Sequence, residues 1–247
     1  MIRGLMLALL LLAPQAARAQ AVLADVTHPL VAITTGFSGT DVTVFGSLDE
    51  GGTDVIVVLR GPSQTLSLRH KERVFGLWLN GPAKIFTQVP GFYGLAATKP
   101  VSSLLSLEDL NQNRLGLSAL QASLEPVRAT GVPDVVDADR AAVVNELAKR
   151  GLIVQKPEPI RLLAGRLFKV SFALPSNVPV GPFQVSVYAV KDRQVIGAIT
   201  TPLITSQVGI AADVHDWAYI HPLIYALASL ALAVLMGGLG FWAFRAR

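Results

Sequence analysis

The chain has 247 residues, 51% of them hydrophobic and only 15% charged, with no cysteine and a formal net charge of +4. Without cysteine there is no disulfide, no thiolate metal site and no lipid-modified cysteine anchor. The positive charge belongs to the ends: with Arg3, Arg18, Arg245 and Arg247 set aside, 17 basic residues meet all 17 acidic ones, and a near-neutral body lacks the basic excess of a nucleic-acid binder.

Residues 1–19 read as a signal peptide. Arg3 precedes a short apolar run, Leu5 to Ala13, and Ala17-Arg18-Ala19 places small residues where a signal peptidase reads them. Cleavage is expected after Ala19. The run is too short to cross a bilayer of about 30 Å comfortably, so a signal is preferred to an uncleaved anchor. The mature N-terminus is then exported.

Residues 20–101 have β texture. "DVTVFG" and "DVIVVLRGP" are rich in β-branched residues and end at turn signals. Gly51-Gly52, Gly61-Pro62 and Gly81-Pro82 punctuate the stretch at sandwich-like spacing. Further strands are expected near Gln64–His70, Val74–Leu79, Ile85–Val89 and Phe92–Ala97. Residues 21–58 carry acids without bases, and residues 60–99 carry six bases against Glu72 alone. Strands of opposite sign can pair across a sheet.

Within this stretch "SLRHKERVFGLWLNGP" sets Arg69, Lys71 and Arg73 at alternating positions. On one continuous strand they share a face and form a candidate anion-binding set, since guanidinium groups hold oxyanions bidentately. The competing explanation is that they are gatekeepers flanking the aggregation-prone run "VFGLWL". Trp78 is out of register with Phe75, Leu77 and Leu79 and is expected to face away from them, toward the second layer or a partner.

Residues 102–151 change period and read as two or three helices. Ser102-Ser103 are candidate caps. In "DADRAAVVNELAKRG", Asp137 opens a run in which Val143, Val144 and Leu147 share a face, Lys149-Arg150 fill the last turn and Gly151 stops it. β texture returns over 152–212. In "RLFKVSFALP" Leu167, Val170 and Phe172 are the candidate buried residues. Phe183, Val185 and Val187 alternate along the first arm of a hairpin that turns at Lys191 to Arg193. The fold class is therefore mainly β: an immunoglobulin-like sandwich, periplasmic, with a helical insertion. The second β stretch either completes that sandwich or forms a small second domain.

Residues 213–221 form a juxtamembrane tether. From Pro222 to Phe244 no residue is charged, which suits a transmembrane helix of about 20 residues. Trp217 and Tyr219 mark one interface and Trp242 the other. Arg245 and Arg247, in the short tail 245–247, are expected to stay cytoplasmic. Both ends thus place the body of the chain outside the cytoplasm, at an inner membrane crossed once. Ser229, Ala233 and Gly237, with Gly240 nearby, lie along one face where small residues let helices approach in lipid.

No nucleophile motif appears, and the histidines (His28, His70, His215, His221) lack zinc-ligand spacing. No enzyme activity, metal or cofactor is expected.

"DVIVVLRGP", "RHKERVFGLWLNGP", "VPGFYGLAATKP" and "LPSNVPVGPFQVSVYAV", followed by a C-terminal span, resemble an uncharacterised family of alphaproteobacterial transmembrane proteins. Members are often encoded beside permeases of the TauE/SafE sulfite-exporter type. The resemblance implies an accessory role beside such a permease. Three functions stay open: a non-enzymatic accessory subunit of a permease exporting sulfite or organosulfur anions, a periplasmic anion-binding or sensor module, and an envelope structural or assembly protein. The expected partners are the lipid bilayer and either a polytopic permease or a second copy of the chain, met through the transmembrane helix.

Overall fold

The structure, a computed structural model, describes residues 21–49, 51–127, 134–209, 214 and 217–245. The expected signal peptide, residues 213, 215 (His215) and 216 of the expected tether, and residues 246 and 247 of the tail lie outside the described residues.

The chain builds two main sheets. Strands β1 (Val22–Val26), β3 (Gly39–Leu48), β13 (Leu167–Pro175) and β12 (Arg161–Leu163) form one, in the order β1-β3-β13-β12. The other has six strands. At its centre β4 (Asp54–Arg60) lies between β9 (Tyr93–Ala97) and β14 (Gly181–Lys191), followed by β15 (Gln194–Gln207). Short parallel strands close its edges: β11 (Glu158–Pro159) on β9, and β2 (Leu30–Ile33) on β15. Strands from before and after the helical insertion therefore pair in both sheets: β3 with β13, and β4 with β14.

Alternation decides which layer each side chain enters. Val42, Val44, Phe168, Val170, Phe172 and Leu174 point inward from the first sheet and are buried. From the second sheet, Phe183, Val185, Val187 and Ala189 are buried, and cross-strand register puts Val55, Val57 and Leu59 on the same face as the last three. All of β4 from Val55 to Leu59 is fully buried, so its other face, Ile56 and Val58, is covered as well. Register aligns those two with Ala97 and Leu95, and these line a cleft against the helical insertion. The body thus has three layers: sheet, sheet, helices.

The insertion contains α1 (Val101–Leu104), α2 (Leu107–Gln112), α3 (Leu117–Ala122), strand β10 (Glu125–Val127) and α4 (Asp137–Lys149). Ser106, not Ser102 or Ser103, is the N-cap of α2: its hydroxyl accepts from the Asp109 N–H at 3.1 Å. Ser103 instead donates to the Pro100 carbonyl. Helix α4 buries Val143, Val144 and Leu147 as the spacing predicts. Gly151 ends it at φ +74. The Leu152 N–H reaches the Leu147 carbonyl and the Gly151 N–H the Ala148 carbonyl, a Schellman motif that satisfies the last carbonyls.

Two expectations need correction. Val74–Leu79 is not one strand: Phe75 (φ 50) and Gly76 (φ 83) turn the chain between β6 (Lys71–Val74) and β7 (Leu77–Asn80). Positive φ at both positions is what a two-residue hairpin turn requires. Leu167 is exposed, beside Leu23 and Phe45 on the outer face of the first sheet, while Phe168 is buried. The strand's period of two places Leu167 opposite in phase to Val170 and Phe172.

Candidate functional site

A long arm carries the basic run. Strands β5 (Ser63–Leu68) and β8 (Lys84–Pro90) pair antiparallel, with β10 on the outer side of β8. Beyond Leu68 and Lys84 the same arm continues as the β6–β7 hairpin. Arg69 lies in the break between β5 and β6, and Lys71 and Arg73 lie on β6. All three are exposed. Directly paired residues in an antiparallel ribbon share a face. Lys71 opposes Asn80 and Arg73 opposes Trp78, whereas Glu72 opposes Leu79. One face of the ribbon is therefore cationic with a tryptophan, and the other carries Glu72, Leu77 and Leu79. Trp78 does face away from Leu77 and Leu79, as its register predicts, but Phe75 sits in the turn and not on their strand face, and Trp78 is exposed and not packed on a second layer.

His70, in the middle of the basic run, has a different task. Its Nε2 lies 2.7 Å from Asp139 Oδ1, and Lys84 Nζ lies 2.7 Å from Asp139 Oδ2. The Val136 N–H donates to the same Oδ2 at 2.9 Å. Val136 is the N-cap of α4 and Asp139 its third residue, so the carboxylate satisfies one of the free N–H groups at the helix start. Burial pushes the Asp139 carboxyl up, but the hydrogen bonds from Lys84, Val136 and His70 and the Lys84 charge outweigh it and hold it at about 2. This ion cluster pins α4 to the base of the hairpin. The sequence reading missed it, because His70, Lys84 and Asp139 are brought together only by the fold. The local signal was an acidic residue three places into a helix that lacks a polar N-cap.

A second feature escaped the sequence reading altogether. Between β9 and the helical insertion lies a cleft of about 580 Å³, lined by Tyr93, Leu95, Val101, Leu110 and Leu115 among others, with Lys99, Asn111 and Gln155 among its polar members. Its size and apolar lining fall within the range of small-ligand pockets. At its floor the Tyr93 hydroxyl donates to the Arg114 carbonyl at 3.1 Å and accepts from the Gly116 N–H at 2.8 Å. Burial raises the Tyr93 phenol, the Gly116 hydrogen bond offsetting part of the effect, so it stays a neutral donor. Arg60 clamps the same loop, its guanidinium donating to the Asn113 carbonyl at 2.7 Å.

The C-terminal helix α5 (Pro222–Arg245) contains a 21-residue candidate span, Pro222–Trp242, of mean hydropathy 2.1, none of it buried against the other described residues. Ser229, Ala233, Gly237 and Gly240 fall within a narrow arc of its surface at 100° per residue. A methyl group added at Gly237 or Gly240 would meet nothing within 4 Å. The Ser229 hydroxyl donates to the Tyr225 carbonyl at 2.8 Å, so it brings no unsatisfied polar group into lipid. Neither the small-residue face nor the basic hairpin is brought into contact with the other.

No curated protein matches the chain. The model of one protein family, described as "Putative transmembrane protein (Alph_Pro_TM)", matches residues 21–246. That match takes in both sheets, the helical insertion and the apolar helix, and the chain belongs to this family of transmembrane proteins.

Proposed function

We propose that the chain is a single-span inner-membrane protein whose β-rich body lies in the periplasm, and that it serves as a non-enzymatic accessory subunit of a polytopic permease, docked through the Ser229–Ala233–Gly237 face. The observation that carries the reading is α5: a helix of membrane length that is not buried against any of the other described residues and has one face of small residues open to a partner. Arg245 at one end of α5, with Trp217 and Tyr219 near the other, supports a cytoplasmic C-terminus. The immunoglobulin-like assignment is part of this reading. It is supported by the strand order β1-β3-β13-β12 against β9-β4-β14-β15, which follows the ABED and C′CFG order of such sandwiches, a scaffold that presents binding surfaces. Sulfite or organosulfur anions as the permease's cargo rest on the family resemblance alone.

The geometry favours this over a discrete anion pocket, because Arg69, Lys71 and Arg73 project from an open ribbon with no walls to exclude water. Affinity purification of the tagged full chain from detergent-solubilised native membranes is expected to recover a polytopic permease, and Gly237→Leu is expected to reduce its recovery at least tenfold (about 1.4 kcal/mol). Recovery of the chain alone, unchanged by Gly237→Leu, contradicts the proposal.

A further inference from the structure

We infer that the tip of the β6–β7 hairpin seats in the headgroup layer of an anionic phospholipid bilayer, the same bilayer that α5 crosses. The inference rests on the span and is independent of any permease.

Phe75 is the first observation. It occupies the leading position of a two-residue turn at φ 50, where Asn, Asp or Gly fits best and a bulky side chain is strained. Its side chain is fully exposed at 101%, so no burial against the described residues offsets that strain. A broken local rule without compensation inside the molecule points to compensation outside it. Behind Phe75 the ribbon exposes Leu77, Trp78 and Leu79 at 67%, 66% and 51%. These are four large apolar side chains on one short projection.

The charges supply the second observation. Lys71 and Arg73 stand on the Trp78 face, and Arg69 follows at the base. Glu72 is the one acid in the run 69–80. An apolar aromatic tip followed by cations is the order in which an interfacial element meets a membrane: aromatic rings at headgroup level, and long basic side chains reaching back to phosphate. A protein partner would need its own acidic apolar groove, whereas an anionic bilayer offers both chemistries along its whole surface.

Geometry limits the depth. A two-stranded ribbon has two open edges whose N–H and C=O groups cannot enter hydrocarbon, so only the tip can dip. The ribbon extends about 14 Å from Lys71 to Phe75, enough for the tip to reach the headgroup–acyl boundary while Lys71 stays among phosphates. The arm is stiff at its base, where His70 and Lys84 both hold Asp139. Fourteen residues separate the end of β15 from the start of α5, a reach of at most about 50 Å. Arg60, where the arm begins, pairs with Gln184, which in turn pairs with Pro202, so the arm leaves the body at the same end from which β15 runs on to α5, and a weak contact suffices at the effective concentration such a tether gives.

The test uses the full chain, one copy per nanodisc. Trp217→Phe and Trp242→Phe leave Trp78 as the sole tryptophan. In discs of phosphatidylcholine and phosphatidylglycerol, Trp78 emission is expected to shift to the blue and to be quenched by lipids brominated near the headgroup. Both effects are expected to weaken in pure phosphatidylcholine and at high salt. Each basic residue near an anionic surface strengthens contact roughly fivefold, so Lys71→Ala with Arg73→Ala is expected to move the equilibrium roughly 25-fold toward the free hairpin. Water-like emission without quenching in both lipids overturns the inference. So does quenching that is equal in neutral and anionic discs, or a blue shift that brominated lipid does not quench, which would mean a protein surface covers the tip.

Discussion

Asp139 shows how one side chain joins distant parts of the chain. Its two oxygens take the His70 ring nitrogen, the Lys84 ammonium and the Val136 N–H, and it is almost fully buried. Its carboxyl titrates at about 2 in the fold against 3.8 for the ordinary group. A depressed carboxyl contributes stability above its unfolded value and loses it as pH falls through the folded one. Roughly 2 kcal/mol should therefore be present at pH 5 and disappear between about pH 4 and pH 2. Urea unfolding of the full chain in micelles at pH 5 and pH 2.5 measures this. Asp139→Asn leaves the Lys84 ammonium, nearly buried, without its counter-charge, and is expected to cost about 3 kcal/mol at pH 5. The variant should also lose the part of the acid sensitivity that belongs to this carboxylate. Equal pH dependence in the two proteins would show that the cluster does not govern it.

The same distinction between supported and unsupported surroundings governs whole elements. At Gly94 on β9, an added methyl carbon would stand 2.7 Å from the Phe172 ring, which is itself only 1% exposed. Gly94→Ala is expected to destabilise the sandwich by about 1–3 kcal/mol, whereas Gly237→Ala in α5 leaves its melting unchanged, because nothing surrounds that position. Equal melting shifts in the two variants would contradict the layer assignment. Much of this element scale was legible in the sequence. Phe183, Val185 and Val187 alternate and are buried, and Val143, Val144 and Leu147 form the buried stripe of α4. Where sequence and structure differ, the cause is local. Leu167 is one residue out of phase with the alternation that buries Val170 and Phe172. "VFGLWL" looked like an unbroken apolar strand because Phe75 is not a turn residue by composition, and only its positive φ shows the turn.

At the scale of the molecule, layer packing hides from the sequence what pattern reveals within a strand. The run "VIVVL" reads as a strand from its β-branched residues, but that β4 is buried on both faces is shown only by the layers that cover it. That the covering on one side is the helical insertion, and that the seam leaves a cleft under Leu95 and Leu110, follows only from long-range pairing. The apolar helix, by contrast, was legible in full, since 23 uncharged residues followed by arginine depend on no tertiary contact. The central claim is that α5 lies in lipid and the β-rich body lies on the far side of the membrane from Arg245. The chain has no cysteine, so single cysteines report position cleanly. With Thr65→Cys in the body and Leu232→Cys in the span, the account predicts that a membrane-impermeant maleimide labels residue 65 in intact spheroplasts. It further predicts that residue 232 stays unlabelled until the membrane is dissolved. Labelling of residue 65 only after the cells are opened, or ready labelling of residue 232 in intact membranes, would contradict it.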